Sequence, residues 1–501
     1  MSARAVMVQG TMSNVGKSIL VAGLCRLFTQ DGHAVRPFKA QNMALNSGVT
    51  GDGLELGRAQ VLQAQAAGVP CDVRMNPVLL KPTGDAGSQV VVLGQPQATL
   101  PAREYYARKR ELAPVVRRAY ASLAAECDIV VIEGAGSPAE INLRDDDFVN
   151  MGMAHIASAP VLLAGDIDPG GVFAQLYGTL QLLQPDDRRM VKGLVVNKFR
   201  GDVGLLQPGL ADLERHCGLP VLGVVPYLAL DLDDEDSLSA RLAVRGRECL
   251  LDVAVIRLPR ISNFTDFDAL ARHGAIGVRY VDAAGALGRP DLVIIPGTKS
   301  TMADLRWLTD TGLARCIRAL AAGATPVIGI CGGYQMLGEQ LSDPHGVEGG
   351  GTCEGLGLLP LRTEFSPHKR RALVHGRLCA HEGPLAALAG MHVEGYELHM
   401  GHSETSARAA LRIEEPNGTW REEGAVCATV WGSYLHGLFD APGIVDALAD
   451  ALLAARGLPA WQGARGPSAH DARERQLDEL AAALRQALDV QRVYRIVEEG
   501  I

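Results

Sequence analysis

The sequence predicts an α/β protein made of two doubly wound domains. Short apolar runs typical of buried parallel strands alternate with helix-length segments over residues 1–228. An acidic stretch, residues 231–237, follows and marks a domain boundary. A second series of apolar runs then begins at Leu251. We therefore expect a first domain over residues 1–230, a second over 250–450, and a helical segment over 451–501 that packs on the body.

Length and composition are those of a globular protein with a substantial core. The 501 residues are 47% hydrophobic and 21% charged, and the net charge of −9 argues against general nucleic-acid binding. No apolar run approaches the roughly 18 residues of a membrane span. The N-terminus has no cleavable apolar segment, so we expect a cytoplasmic location without membrane association. The ten cysteines lack the spacing of disulfide frameworks or zinc sites, and we expect neither.

A phosphate-binding loop follows the first strand. An apolar strand at residues 4–9 leads into Gly-Thr-Met-Ser-Asn-Val-Gly-Lys-Ser at residues 10–18, and an apolar helix comes next. In that context backbone N–H groups surround phosphates, Lys17 supplies positive charge and Ser18 ligates Mg²⁺. The loop is one residue longer than the usual spacing. The predicted ATP-binding residues are Gly10, Thr11, Asn14, Val15, Gly16, Lys17, Ser18 and, at the end of a later strand, Asn197.

Two carboxylates are candidates for a metal site beside this loop. Glu133 ends the buried strand at residues 127–133, which is the position of a Walker-B acid. Glu55 opens an Ala/Gln-rich helix and is either a metal or phosphate-site carboxylate or a helix-capping acid. The predicted metal ligands are therefore Ser18, Glu55 and Glu133.

A polar loop follows the second strand, residues 34–38. The carboxyl ends of parallel strands line the ligand crevice of doubly wound sheets, so these polar groups are expected to face the acceptor of the phosphoryl group. A plain surface loop is the alternative. The candidate substrate-binding residues are Lys39, Gln41, Asn42, Asn46 and Ser47.

Cys331 lies at a predicted turn between a strand, residues 327–330, and a helix. The helix N-terminus favours the thiolate there, and small neighbours let a ligand approach the backbone. Gly332 and the turn containing Gly297 are candidate donors to an oxyanion. Among the 13 histidines, His436 in Gly-Ser-Tyr-Leu-His-Gly is the candidate base. These residues predict acyl transfer through a cysteine nucleophile.

The cysteine segment resembles the class I glutamine amidotransferases, whose signature is Gly-x-Cys-x-Gly after a strand and a histidine farther on. This chain carries the signature at residues 329–333. The resemblance implies a flavodoxin-like amidotransferase domain with Cys331 and His436 as its catalytic residues. Members of that class usually have Glu two residues after the histidine, where this chain has Leu438. Glu397 or a backbone carbonyl is then the candidate group that orients the imidazole.

The N-terminal loop resembles the dethiobiotin synthetase branch of P-loop proteins, and the whole chain resembles the cobyric acid synthase family of cobalamin biosynthesis. Residues 9–18, 38–47, 133–138 and 395–401 carry the second resemblance. It implies that ATP and Mg²⁺ serve to phosphorylate a substrate carboxylate and that glutamine supplies ammonia. It also implies a corrinoid acceptor, adenosylcobyrinic acid a,c-diamide, amidated at its b, d, e and g carboxylates.

Two alternatives remain open from the sequence. One is a cobyrinic acid a,c-diamide synthase or another polycarboxylate amidotransferase, and the polar stretch at residues 41–47 favours the cobyric acid interpretation over it. The other is a partitioning-type P-loop ATPase with a vestigial amidotransferase domain. Cys331, His436 and the Pro-Gly turn weigh against that ATPase, as does the lack of a basic amphipathic terminal helix.

Overall fold

The computed structural model describes residues 3–82, 87–144, 146–230, 232, 249–379, 383–415, 418–463 and 465–501. They form two compact units: the first contains residues 1–44, 54–235 and 473–501, and the second contains residues 45–53 and 236–472. The predicted boundary stretch, 231–237, lies outside the described residues except for Leu232. Among the described residues, no helix combines the length and hydrophobicity that a bilayer crossing requires.

Strands and helices alternate along much of the chain. The strands are β1 (Arg4–Gly10), β2 (Val35–Phe38), β3 (Gln41–Met43), β4 (Ser47–Val49), β5 (Glu55–Gly57), β6 (Val78–Pro82), β7 (Gly87–Val92), β8 (Gln95–Pro101), β9 (Ile129–Glu133), β10 (Val161–Asp166), β11 (Val191–Phe199), β12 (Val221–Pro226), β13 (Leu251–Ile256), β14 (Ile276–Val281), β15 (Leu292–Ile295), β16 (Val327–Ile330), β17 (Gln340–Asp343), β18 (Gly351–Glu354), β19 (Leu361–Leu378), β20 (His392–Thr405), β21 (Leu411–Glu414), β22 (Trp420–Glu423), β23 (Ala425–Cys427), β24 (Val430–Ser433) and β25 (Leu435–His436). The helices are α1 (Lys17–Gln30), α2 (Arg58–Ala66), α3 (Ala102–Ala124), α4 (Met151–Ala157), α5 (Val172–Leu182), α6 (Pro185–Met190), α7 (Val203–Cys217), α8 (Asp268–Arg272), α9 (Ala284–Leu287), α10 (Thr301–Asp310), α11 (Leu313–Ala322), α12 (Gly332–Met336), α13 (Ile444–Ala455), α14 (Ala469–Ala487) and α15 (Val490–Glu499).

The first unit is built on a six-stranded parallel sheet in the order β12-β11-β10-β1-β9-β2. Strands β9 and β10 are buried along their whole length, as expected for a sheet covered by helices on both faces. The chain winds to one side of β1 first and to the other side with β10, so the crevice where a doubly wound sheet binds its ligand lies at the carboxyl end of β1. The predicted α/β class and doubly wound sheet are confirmed here.

The first unit also contains elements that the sequence did not specify. A four-stranded sheet, β3-β6-β7-β8, is antiparallel except where β3 pairs with β6. Leu477, Leu480 and Leu484 of α14 are buried in one cluster with residues of α1. The segment 451–501, expected to pack on the body, divides between the units: residues 473–501 belong to the first unit and residues 451–472 to the second.

The second unit is built on the sheet β14-β13-β15-β16-β24-β23. Its first five strands are parallel and follow the order 2-1-3-4-5 in the chain, which is the flavodoxin-like arrangement. The short strand β23 pairs antiparallel with β24 at the edge. A second sheet contains the long antiparallel pair β19-β20, and β20 also pairs antiparallel with β25. Residues 45–53, expected in the first domain, belong to this unit.

Candidate active site

Cys331 lies in the turn between β16 and α12 with a strained backbone. Its φ of 51° and ψ of −108° are unusual for a residue other than glycine. Such strain persists only where the surroundings fix it, and it is enriched at functional sites. The Cys331 N–H donates to the carbonyl of Ser433 at 2.8 Å, and Sγ lies 3.7 Å from the carbonyl oxygen of Leu398. The thiol is thus held at the carboxyl end of the sheet.

Three glycines leave room for this arrangement. A Cβ atom on Gly333 would lie 2.0 Å from the carbonyl oxygen of Ile295, and one on Gly332 would lie 2.8 Å from Cγ2 of Thr298. A Cβ on Gly297 would lie 3.1 Å from Cε1 of His436. As the first residue of α12, Gly332 has no intrahelical acceptor for its N–H. The structure therefore gathers the predicted oxyanion residues around the thiol and the imidazole.

His436 is buried and held by a carboxylate. Its Nδ1 lies 2.7 Å from Oδ2 of Asp266, and Oδ1 of Asp266 accepts the N–H of Gly437 at 3.1 Å. The ring of Tyr396 stacks on the imidazole with centroids 5.1 Å apart. Burial alone would lower the pKa of His436, but the Asp266 carboxylate and the Cys331 sulfur outweigh it and raise the pKa to about 10. The residues form a Cys–His–Asp arrangement.

The group that orients the imidazole is thus Asp266, which the sequence analysis did not name. Glu397, one of its two candidates, instead pairs with Arg370 at 2.5 Å and Arg421 at 2.7 Å. The two arginines hold the pKa of this buried carboxyl below its usual range, although burial acts in the opposite direction. Glu397 therefore balances two guanidinium groups, and the interpretation of it as the orienting group is wrong.

In the first unit, the predicted phosphate-site residues meet at the carboxyl ends of β1 and β9. The Ser18 hydroxyl donates to Oε1 of Glu133 at 2.7 Å, and Nζ of Lys39 donates to the same oxygen at 2.9 Å. Gln63 donates to Oε2 at 2.6 Å. Lys17 bridges the loop to the strand end, because its Nζ contacts the carbonyl oxygens of residues 12 and 136 at 2.9 and 3.1 Å.

These residues suit a magnesium ion bound together with phosphates. Mg²⁺ in nucleotide sites takes one or two protein oxygens and completes its shell with phosphate and water, and Ser18 and Glu133 offer such oxygens side by side. Among the described residues, no group of three or more His, Cys, Asp or Glu side chains could hold a metal without such help. Glu55, the other predicted ligand, is buried and forms an ion pair with Lys81 at 2.6 Å.

The remaining residues of the predicted nucleotide loop are tightly fixed. Asn197 donates its Nδ2 to the carbonyl of Val15 at 2.7 Å, so this residue supports the loop from a neighbouring strand. Gly16 has a φ of 91°, and a Cβ there would lie 2.4 Å from Nδ2 of Asn197. Asn14 also has a positive φ, 61°.

The start of the loop is closely packed as well. A Cβ on Gly10 would lie 2.5 Å from the Val15 side chain. Thr11 Oγ1 donates to Oε1 of Gln175 at 3.2 Å.

The predicted substrate loop divides between the two units. In the first unit, Gln41 accepts a hydrogen bond from the hydroxyl of Tyr105, and Asn42 donates to Oε1 of Gln60 at 3.1 Å. Asn46 and Ser47 belong to the second unit and are fully buried there. The assignment of all these residues, and of Lys39, to the acceptor stays a prediction.

Comparison with known proteins identifies the family. Residues 6–237 match the model described as CobQ/CobB/MinD/ParA nucleotide binding domain, and residues 252–444 match the CobB/CobQ-like glutamine amidotransferase domain. A cobyric acid synthase of Ruminiclostridium cellulolyticum is 53% identical over 100% of this chain and 98% of that protein. Cobyric acid synthases of Lachnoclostridium phytofermentans and Yersinia enterocolitica are 48% and 50% identical, covering 100% and 99% of this chain and 100% and 98% of those proteins. The chain belongs to the cobyric acid synthase family.

Membership in the cobyric acid synthase family confirms the resemblance drawn from the sequence and decides against the partitioning-type ATPase. The nucleotide-binding model alone is shared with MinD and ParA proteins, so by its name it leaves the partitioning-type ATPase open. The likeness to cobyric acid synthases extends through the amidotransferase domain to the whole chain. The chain is therefore a glutamine amidotransferase of this family with a P-loop nucleotide-binding domain.

Sequence reasoning missed Asp266 and Asn263, which both contact His436. They lie in the polar stretch Ser-Asn-Phe-Thr-Asp, residues 262–266, which follows β13. The position of this stretch could have indicated a role in the site, because polar residues shortly after a buried parallel strand fall at the ligand edge of the sheet. Class I glutamine amidotransferases usually have the carboxylate two residues after the histidine, where this chain has Leu438.

We expect Asp266→Asn to lower the pKa of His436 well below about 10, because the mutation removes the carboxylate that favours the imidazolium. NMR titration of labelled histidines measures this pKa, and the His436→Gln spectrum assigns the resonance. Asp282→Asn, a change on an exposed residue, is the matched control. A His436 that still titrates near 10 in Asp266→Asn would contradict the role given to Asp266.

Proposed function

We propose that the protein uses ATP and glutamine to amidate the b, d, e and g carboxylates of adenosylcobyrinic acid a,c-diamide, giving cobyric acid. The observation that carries this proposal is the presence in one chain of a buried Cys331–His436–Asp266 site and a P-loop whose Ser18 contacts Glu133. Full-length relatives named cobyric acid synthase support the choice of acceptor. The expected cytoplasmic location is part of the same proposal.

The glutaminase half-reaction follows from the chemistry of the second unit. The Cys331 thiolate attacks the side-chain carboxamide of glutamine, and the N–H groups of Gly297 and Gly332 stabilise the oxyanion. The imidazolium of His436, favoured by Asp266, gives its proton to the departing ammonia. Water, deprotonated by the now neutral imidazole, then hydrolyses the thioester, which releases glutamate and restores the thiolate and the imidazolium.

The synthetase half-reaction belongs to the first unit. ATP transfers its γ-phosphoryl group to an oxygen of the acceptor carboxylate, ammonia attacks the resulting acyl phosphate, and phosphate leaves as the amide forms. Lys17 and the backbone of the P-loop hold the phosphates, and Ser18 and Glu133 would hold Mg²⁺. When bound there, Mg²⁺ would supply neutralisation of the charge that develops on the phosphoryl oxygens. Lys39, which donates to Glu133, is the proposed contact of the acceptor carboxylate.

Cys331→Ala is expected to abolish glutamine hydrolysis and to keep amidation with free ammonia, because the thiol serves only to release ammonia. Glutamate release and amide formation are measured separately on the same preparation. Cys427→Ala, at an exposed cysteine, is the control. Retained glutamine use in Cys331→Ala, or loss of ammonia-driven amidation, would contradict this division of the reaction.

Glu133→Gln is expected to lower amidation with either nitrogen donor by on the order of 10²-fold or more, the scale of losing one preorganised group that stabilises charge. The substitution keeps the size of the side chain and removes the charge that suits Mg²⁺. Glutamine hydrolysis without acceptor is the internal control for the second unit. An amidation rate close to that of the wild type would exclude Glu133 as a metal ligand.

Mass spectrometry of the product tests the acceptor. Adenosylcobyrinic acid a,c-diamide incubated with protein, glutamine and Mg-ATP should gain four amide nitrogens, and ¹⁵N from amide-labelled glutamine should appear in all of them. Cobyrinic acid offered instead should not be converted to its a,c-diamide. Formation of that diamide would favour the cobyrinic acid a,c-diamide synthase alternative.

A further inference from the structure

Residues 45–53 contribute to the surroundings of His436. Oδ1 of Asn46 accepts the backbone N–H of Asn263 at 2.7 Å, and the backbone N–H of Ser47 donates to Oδ1 of Asn263 at 3.3 Å. Val49 forms an apolar cluster with Tyr396, whose ring stacks on His436, and with Leu398. These residues are buried, and all belong to the second unit. The segment is therefore an integral part of that unit.

Asn263 is held in one orientation. Its backbone has a φ of 52°, a left-handed conformation that asparagine adopts more readily than most residues. Because its Oδ1 accepts from Ser47, its Nδ2 is the atom that faces Nε2 of His436, at 3.4 Å. The contact with Ser47 thus determines that Nδ2 of Asn263, and not Oδ1, faces the imidazole.

This orientation suits the neutral form of His436, which remains once the imidazolium has given its proton to ammonia. With the Nδ1 proton directed at Asp266, the neutral imidazole has its lone pair on Nε2. A donor facing Nε2 stabilises that neutral form and fixes the plane of the ring. An amide turned the other way would present an oxygen, which favours a proton on Nε2 and opposes its transfer to the departing ammonia.

We propose that Asn46 and Ser47 position the glutaminase base through Asn263, so that residues 45–53 complete the amidotransferase site. The inference rests on the proposed glutaminase reaction. It gives Asn46 and Ser47 a role different from acceptor binding, the role that the sequence suggested. Both ends of the segment continue into β3 and β5 of the first unit, so the nucleotide-binding half of the chain supplies part of the machinery of the other half.

Asn263→Asp is the sharpest test, because aspartate keeps the size, the tolerance for a left-handed backbone and the acceptor for Ser47, and replaces the donor by a carboxylate oxygen. We expect the kcat of glutamine hydrolysis to fall about 10-fold to 100-fold, with ammonia-driven amidation unchanged. The groups facing His436 are Asp266, Cys331 and Tyr396. The substitution Asn263→Asp adds a second carboxylate beside the ring, which stabilises the imidazolium further. The alkaline limb of the glutaminase pH profile should therefore move to higher pH.

Asn46 provides a second, independent pair of variants. Asn46→Ala removes the acceptor for Asn263 and should lower kcat for glutamine by about 10-fold while leaving its KM within about twofold. Asn46→Asp keeps that acceptor and exchanges Nδ2, which has no hydrogen-bond partner within the described residues, for a carboxylate oxygen, so it should retain more of the wild-type kcat than Asn46→Ala. Asp282→Asn, at an exposed position outside this segment, is the control.

The outcomes separate this inference from the proposed function. A wild-type protein that does not hydrolyse glutamine would refute the proposed function itself. An active wild type with unchanged kcat and pH profile in Asn263→Asp and Asn46→Ala would overturn only the positioning role. A raised KM for the corrinoid in Asn46→Ala, with normal glutamine hydrolysis, would overturn the positioning role and support the prediction from the sequence that Asn46 binds the acceptor.

Discussion

The second unit depends on one buried contact, the hydrogen bond between Asp266 and His436. Removing a carboxylate from water costs on the order of several kcal/mol unless its charge is compensated. Asp266 meets this requirement by using both oxygens, one toward the imidazole and one toward the N–H of Gly437. The contact selects the imidazole tautomer and fixes the ring where Tyr396 stacks on it. The position of the base relative to Cys331 follows from these restraints.

A second constraint is steric and acts at the nucleophile. The left-handed backbone of Cys331 costs free energy, and the neighbouring packing maintains it. Gly333 lies so close to the carbonyl of Ile295 that any side chain would force α12 away from β15. The hydrogen bond from the Cys331 N–H to Ser433 ties the turn to β24, the strand that leads to His436. Strain at the cysteine and placement of the histidine are thus maintained by the same strands.

Local motifs allowed much of the architecture to be predicted. The P-loop, Glu133, Cys331 and His436 each follow or end a short apolar run, so the doubly wound class and the strand ends that carry these side chains follow from spacing alone. Asp266 was missed because it lies 170 residues from His436, and no local pattern connects them. The polar stretch at residues 41–47 was treated as one loop, whereas long-range contacts to Asn263 assign its second part to the other unit.

The strand order of the second unit indicates where the carboxylate lies, which the local motifs do not. In the order 2-1-3-4-5, the first strand lies beside the third, so the loop after β13 lies next to the loop after β15. The structure has that contact, since Ser262 donates to the carbonyl of Gly297 and Ile261 bridges to Thr298. Any polar residue after β13 therefore falls beside the predicted oxyanion turn. A flavodoxin-like order, once inferred from the cysteine motif, is enough to direct a search for the missing carboxylate to residues 262–266, where Asp266 is the only acid.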